Sequence, residues 1–205
     1  MTNILRIDAS ARTEGSHSRR LADRFLESWL QAHPNSRVVT HDLAEEPPPH
    51  ISNATITAYF TPPDQIDATT RSNTALSDRL IAELQAADLL VISTPMYNFS
   101  IPSTLKAWID HVMRFGHTFD YFPDQGFVGR LQGKRAIVTT SSGAVISAEA
   151  MTAMDFVTPY LKAILYFIGF SSVEILSLEG SNSDEEAFTR SQTATNERIK
   201  QLAAR

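Results

Sequence analysis

Short aliphatic and β-branched runs alternate along this chain with longer segments whose apolar residues recur every three or four positions. That alternation is the pattern of a parallel sheet with crossover helices on both faces. It predicts five strands: Asn3 to Asp8, Arg37 to His41, Asp88 to Ser93, Arg135 to Thr140 and Val173 to Leu178. Between them, Leu21, Phe25, Leu26, Trp29 and Leu30 share one helix face. So do Leu76, Leu80, Ile81 and Leu84, and then Leu105, Trp108, Ile109, Val112 and Met113. The last segment, Asp184 to Ala204, is more polar, with Phe188, Ile199 and Leu202 as apolar anchors, and is expected to close the sheet edge. The expected fold class is α/β: a three-layer sandwich around a five-stranded parallel sheet.

Two insertions interrupt the rhythm. Glu45 to Thr69 carries Pro47-Pro48-Pro49 and Pro62-Pro63, and reads as an ordered surface excursion with a short helix near Ala54 to Tyr59. His117 to Gly133 is rich in aromatics and glycine and reads as a loop able to reach over a neighbouring site.

Composition narrows the class. At 205 residues, 42% hydrophobic and 20% charged, the chain fits one domain, residues 1–205, burying about 70% of its unfolded surface. A net charge of −5 without a Lys/Arg cluster argues against a nucleic-acid partner. With no cysteine there is no disulfide, thiolate-bound metal or thiol relay. Met1 to Ala9 lacks the apolar core of a secretory signal, so a cytoplasmic location is expected. The most apolar stretch, Tyr160 to Leu178, is broken by Lys162, Gly169, Ser171, Ser172 and Glu174, which does not suit a bilayer span of ~20 apolar residues.

The candidate chemistry sits where strands end. The first strand runs into Ala9 to Ser18, where Ser10, Ser16 and Ser18 surround a helix start whose free N–H groups suit a phosphate dianion. Ser16 also suits a plain N-cap. Neither Gly-x-Gly-x-x-Gly nor Gly-Lys-Ser/Thr is present, so a dinucleotide pyrophosphate or NTP cradle is not indicated. The third strand runs into Pro95-Met96-Tyr97-Asn98-Phe99; Pro95, having no N–H, is expected to end it. The fourth ends at Ser141-Ser142-Gly143-Ala144, small residues that allow close approach of a flat ring. In a sheet of order 2-1-3-4-5 these three loops surround one crevice at the topological switch point. A planar heteroaromatic ring with one phosphate tail fits, with amide donors from the Tyr97-Asn98 turn and Gly143 aimed at the ring.

Other chemistries lack their residues. The six histidines show no metal-ligand spacing, and no Gly-x-Ser-x-Gly marks a hydrolase nucleophile. His111, next to Asp110, suits packing or solvation, and Lys106 with Asp110 suits an i,i+4 helix pair. No Arg cluster that would favour a second phosphate group is evident, with Arg12 the one candidate.

Pro95-Met96-Tyr97-Asn98-Phe99, followed by Leu105-Lys106 and Asp110, resembles the motif of the flavodoxin-like FMN-dependent NAD(P)H reductases. Within that group the chain looks most similar to the bacterial FMN-dependent NADH azoreductases, or NADH:quinone oxidoreductases. The resemblance continues through Val157-Thr158-Pro159-Tyr160-Leu161 and Phe167-Ile168-Gly169 and covers essentially the whole chain. It implies a flavodoxin-like fold and FMN phosphate binding by Ser10, Ser16, His17 and Ser18. It implies ring contacts from Met96, Tyr97, Asn98 and Phe99, and from Ser141, Ser142, Gly143 and Ala144. It also implies a homodimer with each flavin at the subunit boundary, and Tyr121 and Phe167 near the exposed ring face as substrate contacts. The implied activity is two-step hydride transfer from NADH or NADPH, through FMN, to quinones or azo compounds. The flavin carries the hydride and no side chain is assigned a catalytic role. Many relatives carry Arg-Gly-Gly where this chain has Ser142-Gly143-Ala144. A flavodoxin-type electron carrier is the alternative; the long insertions and mild acidity speak against it.

Overall fold

The computed structural model describes residues 1–204. Five parallel strands form the central sheet: β1 (Asn3–Asp8), β2 (Arg37–Asp42), β3 (Leu89–Pro95), β6 (Arg135–Ser141) and β7 (Ser172–Leu178). Their order is β2-β1-β3-β6-β7, so the main-sheet strands run 2-1-3-4-5 as the sequence pattern predicts. Between β3 and β6 in the chain lies a separate antiparallel pair, β4 (Phe119–Phe122) and β5 (Gly126–Gly129).

The period-2 alternation of each strand sorts its residues into two cores. Ile4, Leu89, Val91, Ile137 and Leu176 face α1 (His17–Ala32) and α6 (Glu185–Ala203), meeting Phe25, Trp29, Ile199 and Leu202. Leu5, Ile7, Leu90, Ile92, Ala136 and Val138 face the other way, onto the side holding Leu80, Leu84, Trp108, Ile109, Leu161 and Leu165. Those residues come from α3 (Ala68–Ala86), α4 (Ser103–Val112) and α5 (Thr158–Phe167). Every residue of β3 is buried, as the middle strand of a sheet covered on both faces must be. The last helix packs on α1 and β7, and so covers one face beside the edge strand.

Pro95 does not end the third strand at Ser93. β3 runs two residues further because Thr94 and Pro95 pair with Thr140 and Ser141 of β6. Alternate residues bond to opposite neighbours, and Ser93, two residues earlier, bonds to Ala9 on the β1 side. The missing N–H of Pro95 therefore points where β1 has already stopped.

Of the two insertions, the first folds as expected around a short helix, α2 (Asn53–Tyr59), capped by Ser52. Its Tyr59 hydroxyl hydrogen-bonds to His111 Nδ1 at 3.0 Å, while His111 Nε2 donates to the Pro49 carbonyl at 2.9 Å. His111 is therefore a buried clamp that ties the Pro-rich excursion to α4. The second insertion is no loop: Phe119 to Gly129 is the β4–β5 hairpin, with Tyr121 opposite Phe127 in its register. The turn residues Pro123, Asp124 and Gly126 had masked two four-residue strands. Among the described residues, no helix is long and apolar enough to cross a membrane.

Candidate functional site

All five main strands point their carboxyl ends toward one rim, and a cleft of about 340 Å³ opens there between β1 and β6. The loop after β1 and the start of α1 contribute Ser10, Arg12, Gly15, Ser16 and His17. The end of β3 contributes Pro95, Met96 and Tyr97; the end of β6 contributes Ser141, Ser142 and Gly143. Larger openings exist, such as one of about 480 Å³ between β7 and α6, but it joins no strand-end loops of β1 and β3.

The first wall is a helix start. Ser16 is the N-cap of α1, its Oγ accepting from Arg19 N at 3.4 Å and lying 3.3 Å from Ser18 Oγ. Both serines are buried, so their hydroxyls are held rather than solvated. Among the described residues, the N–H groups of His17 and Ser18 have no acceptor within the chain. No acid occupies the first turn. A helix end with free donors and no carboxylate is complementary to an anion. Around it, Arg12 and Arg20 both push the His17 pKa below its ordinary value, after burial, which pushes it down most. Arg20 Nη2 lies 2.8 Å from His17 Nδ1. Arg12 and His17 line the cleft, and Arg20 stands just outside it against His17, so basic groups gather here although the sequence showed no Arg cluster.

The second wall is a strained turn. Tyr97 and Ser100 exchange backbone hydrogen bonds at 2.8 and 3.0 Å across Asn98 and Phe99, which have φ of 49° and 70°. Two-residue turns of this hand need positive φ at both central positions, usually met by Asn-Gly. Placing Phe there costs on the order of 1–3 kcal/mol. The Phe99 carbonyl is pinned by Phe156 N at 3.1 Å. The Tyr97 N–H is consumed by the turn itself, so that expected amide donor is not available; among the described residues, the Asn98 side chain has no hydrogen-bond partner. Asn98 and Phe99 stand at the exposed tip, beside the cleft rather than lining it.

The third wall explains the small residues. The Ser142 carbonyl accepts from Ser181, that of Gly143 from Asn182 N and Ser183 Oγ, and that of Ala144 from Gly180 N and Ser142 Oγ. Three successive carbonyls are thus engaged, while among the described residues the Gly143 and Ala144 N–H groups have no acceptor. A Cβ on Gly143 would stand 3.0 Å from Asn182 Nδ2, so a larger residue there would press on the Asn182 side chain. Ser181 and Asn182 line the cleft and are absent from the sequence reading. Gly180-Ser181-Asn182-Ser183-Asp184, a run of turn residues after the last strand, was the signal that could have found them. Ala144 lies outside the lining, and Ser18 lies beneath it, bonded to Ser16.

Tyr121 and Phe167 are elsewhere. α5 starts near the cleft, where Phe156 meets Phe99, and descends about 15 Å over its ten residues. Its end lies beside the first residues of β6 and β7, Arg135 and Ser172, with Leu131 N bonded to Ile168 O. There Phe167 packs against Phe119 and Phe127, at centroid distances of 4.9 and 5.5 Å, and Tyr121 packs on Phe127 at 5.2 Å. Tyr121 and Phe127 remain 53% and 60% exposed, so the outer side of the hairpin presents aromatic surface that its own chain leaves uncovered. Among the described residues, no group of three or more His, Asp or Glu side chains is placed to hold a metal ion.

A doubly wound sheet of order 2-1-3-4-5 with a phosphate-type helix start and a ring-sized wall defines a flavodoxin-like α/β protein. A family model described as a flavodoxin-like fold matches residues 2–202. A relative from Hydrogenovibrio crunogenus named FMN-dependent NADH:quinone oxidoreductase is 48% identical over 93% of this chain and 94% of its own length. An azoreductase structure from Bacillus anthracis str. Sterne superposes with a TM-score of 0.90 at 29% identity, over 100% of this chain and 99% of that one. An FMN-dependent NADH-azoreductase from Bacillus anthracis str. Ames Ancestor, solved in complex with FMN, gives 0.88 at 25% identity over 99% and 100%. The chain belongs to the flavodoxin-like family of FMN-dependent NADH:quinone oxidoreductases.

Proposed function

We propose that this chain is a one-domain FMN-dependent oxidoreductase that passes hydride from NADH or NADPH to quinones and azo compounds in two half-reactions. The observation that carries the reading is the cleft itself: among the described residues, backbone donors without acceptors stand on two of its walls, at the α1 start and at Gly143. The residues fit the group. Ser10, Ser16, His17 and Ser18 would hold the phosphate; Met96 and Tyr97, with Asn98 and Phe99 at the rim, would flank the ring. Ser141 to Ala144 would meet its edge, and Asn182 would back that wall. Bound FMN supplies the hydride relay between nicotinamide and acceptor.

The chain's own contribution is position and charge. A fixed N–H dipole at Gly143 would favour negative charge at the ring edge without reorganising. Met96 and Tyr97 on one side of the cleft would leave room for nicotinamide and acceptor to stack in turn on a bound ring, which is the reason for reading two half-reactions. The far location of the Tyr121–Phe127–Phe167 cluster supports a homodimer in which these aromatics cover the partner's cleft. Exposed rings beside a flat ligand give substrate tolerance through stacking.

The purified protein should be yellow, absorb near ~450 nm and release FMN on denaturation, as a cofactor-borne reaction requires. Quinone-dependent NADH oxidation then separates an enzyme from a carrier. A colourless protein that gains no flavin absorbance with added FMN defeats the reading.

The depressed pKa of His17 gives a second expectation. Burial, Arg20 and Arg12 favour the neutral ring in the free protein, and a phosphate dianion beside it would favour the protonated one. FMN binding near the ordinary histidine pKa should therefore take up protons through His17. Calorimetry in buffers of different ionisation heat reads this, and His17→Asn should abolish the uptake; identical proton linkage in both proteins would remove His17 from the phosphate.

A further inference from the structure

Arg19 breaks a rule of helix composition. It stands in the first turn of α1, where the positive helix end ordinarily favours Asp or Glu, and Arg20 follows it. Arg20 points out to solvent, but Arg19 is 9% exposed and fully engaged on one side. Its Nη1 and Nη2 bond to the two carboxylate oxygens of Asp42 at 2.5 and 2.7 Å. Asp8 Oδ2 lies 3.6 Å from Nη1, and Asp8 in turn accepts from Ser93 Oγ at 2.6 Å and from Arg6. Two carboxylates thus absorb the charge of the guanidinium, so it does not serve the cleft as a cation.

What remains is its one bond to the cleft loop: Nη2 donates to the Ser10 carbonyl at 2.7 Å. A carbonyl oxygen pointing into the cleft would repel a phosphate. Tied to Arg19, it is drawn into the protein, while the Ser10 hydroxyl accepts from Arg12 N at 3.2 Å and shapes the turn on the cleft side. The same fork fastens the end of β2, through Asp42, to the helix start.

We propose that Arg19 is a positioning residue that makes the cleft selective for a phosphorylated flavin, by holding the Ser10 carbonyl away from the phosphate. This rests on FMN being the occupant. The guanidinium is needed for its shape: a lysine ammonium cannot span Asp42 and the Ser10 carbonyl with a planar fork.

The test compares equilibrium binding of FMN and riboflavin to the flavin-stripped full-length protein, read by quenching of flavin fluorescence. Wild type is expected to prefer FMN. Arg19→Lys and Asp42→Asn should each lose about tenfold or more in FMN affinity while riboflavin affinity stays within about twofold. Circular dichroism and melting identify a variant that fails to fold, in which case the other decides. Arg19→Lys keeps the charge, and Asp42→Asn keeps the arginine but loosens its anchor. A preference for FMN that survives in the folded variant overturns the proposal, whether both affinities fall together or neither falls. If wild type itself does not bind FMN, the functional reading fails before Arg19 is reached; if wild type prefers FMN and the variants do too, only the role of Arg19 fails.

Discussion

Replacing Ser16 by Asp is expected to leave the free protein as stable as before, or slightly more so, while weakening FMN binding by about a hundredfold. The two effects separate because they act on different partners. Ser16 caps α1 by accepting from Arg19 N, and Asp is as good an N-cap as Ser. The first turn contains no acid, so a carboxylate there also gains from the helix end by about 0.3–1 kcal/mol. A phosphate brought to the same free N–H groups meets that carboxylate instead of a hydroxyl. At ~5 Å and an effective dielectric near ~20, each pair of like unit charges repels by about 3 kcal/mol before screening. Even heavily screened, that repulsion and the lost hydroxyl donor exceed the roughly 2.7 kcal/mol that a hundredfold change represents. Thermal melting of the flavin-free protein and an FMN titration read the two effects. Unchanged FMN affinity would confine Ser16 to capping and move the phosphate elsewhere.

Most of the architecture was legible because one-dimensional periodicity maps directly onto the sheet. Strand residues such as Leu89 to Ile92 are apolar on both faces, and Leu105, Trp108 and Ile109 recur at helical spacing, so each element announced its place. The cleft was legible in part for the same reason: strand ends carrying small, hydroxyl-bearing and aromatic residues had to meet once the strand order was set. What escaped depended on three-dimensional neighbours. Pro95 was placed past the end of β3 because its missing N–H matters only where a partner strand continues, and β1 does not. The Phe119–Phe122 and Gly126–Gly129 strands are too short for alternation to stand out from an aromatic loop. Arg12 and Arg20 are eight positions apart, and only the helix start folds them onto His17. Arg19 was invisible as anything but a helix-face cation until Asp42 and the Ser10 carbonyl arrived from two other elements.

The hairpin that the sequence concealed carries the other large expected effect: Gly129→Ala should destabilise the protein by about 3 kcal/mol, a drop in Tm of roughly 6–12 °C. A Cβ on Gly129 would stand 2.2 Å from Gly169 N and from the Ile168 carbonyl carbon, both backbone atoms that no rotamer change can move. Gly169, at a φ of +106°, is also closely packed from the other side, its own absent Cβ standing 2.9 Å from Gly129 C. Two glycines thus meet where the hairpin exit crosses the end of α5, and the Leu131 N to Ile168 O bond of 2.9 Å depends on that contact. Relief requires the hairpin to move outward, which lifts Phe119 and Phe127 from Phe167. The cleft lies at the opposite rim of the sheet, built from strand ends that the clash does not touch. Below its melting temperature the variant should therefore bind FMN with near-normal affinity yet turn over quinone slowly, because the aromatics proposed to cover the partner's cleft are displaced. Melting, flavin titration and quinone-dependent NADH oxidation on one preparation separate these consequences. A variant that melts lower but turns over quinone at the wild-type rate would leave the hairpin a purely structural role and remove Tyr121 and Phe167 from the substrate site.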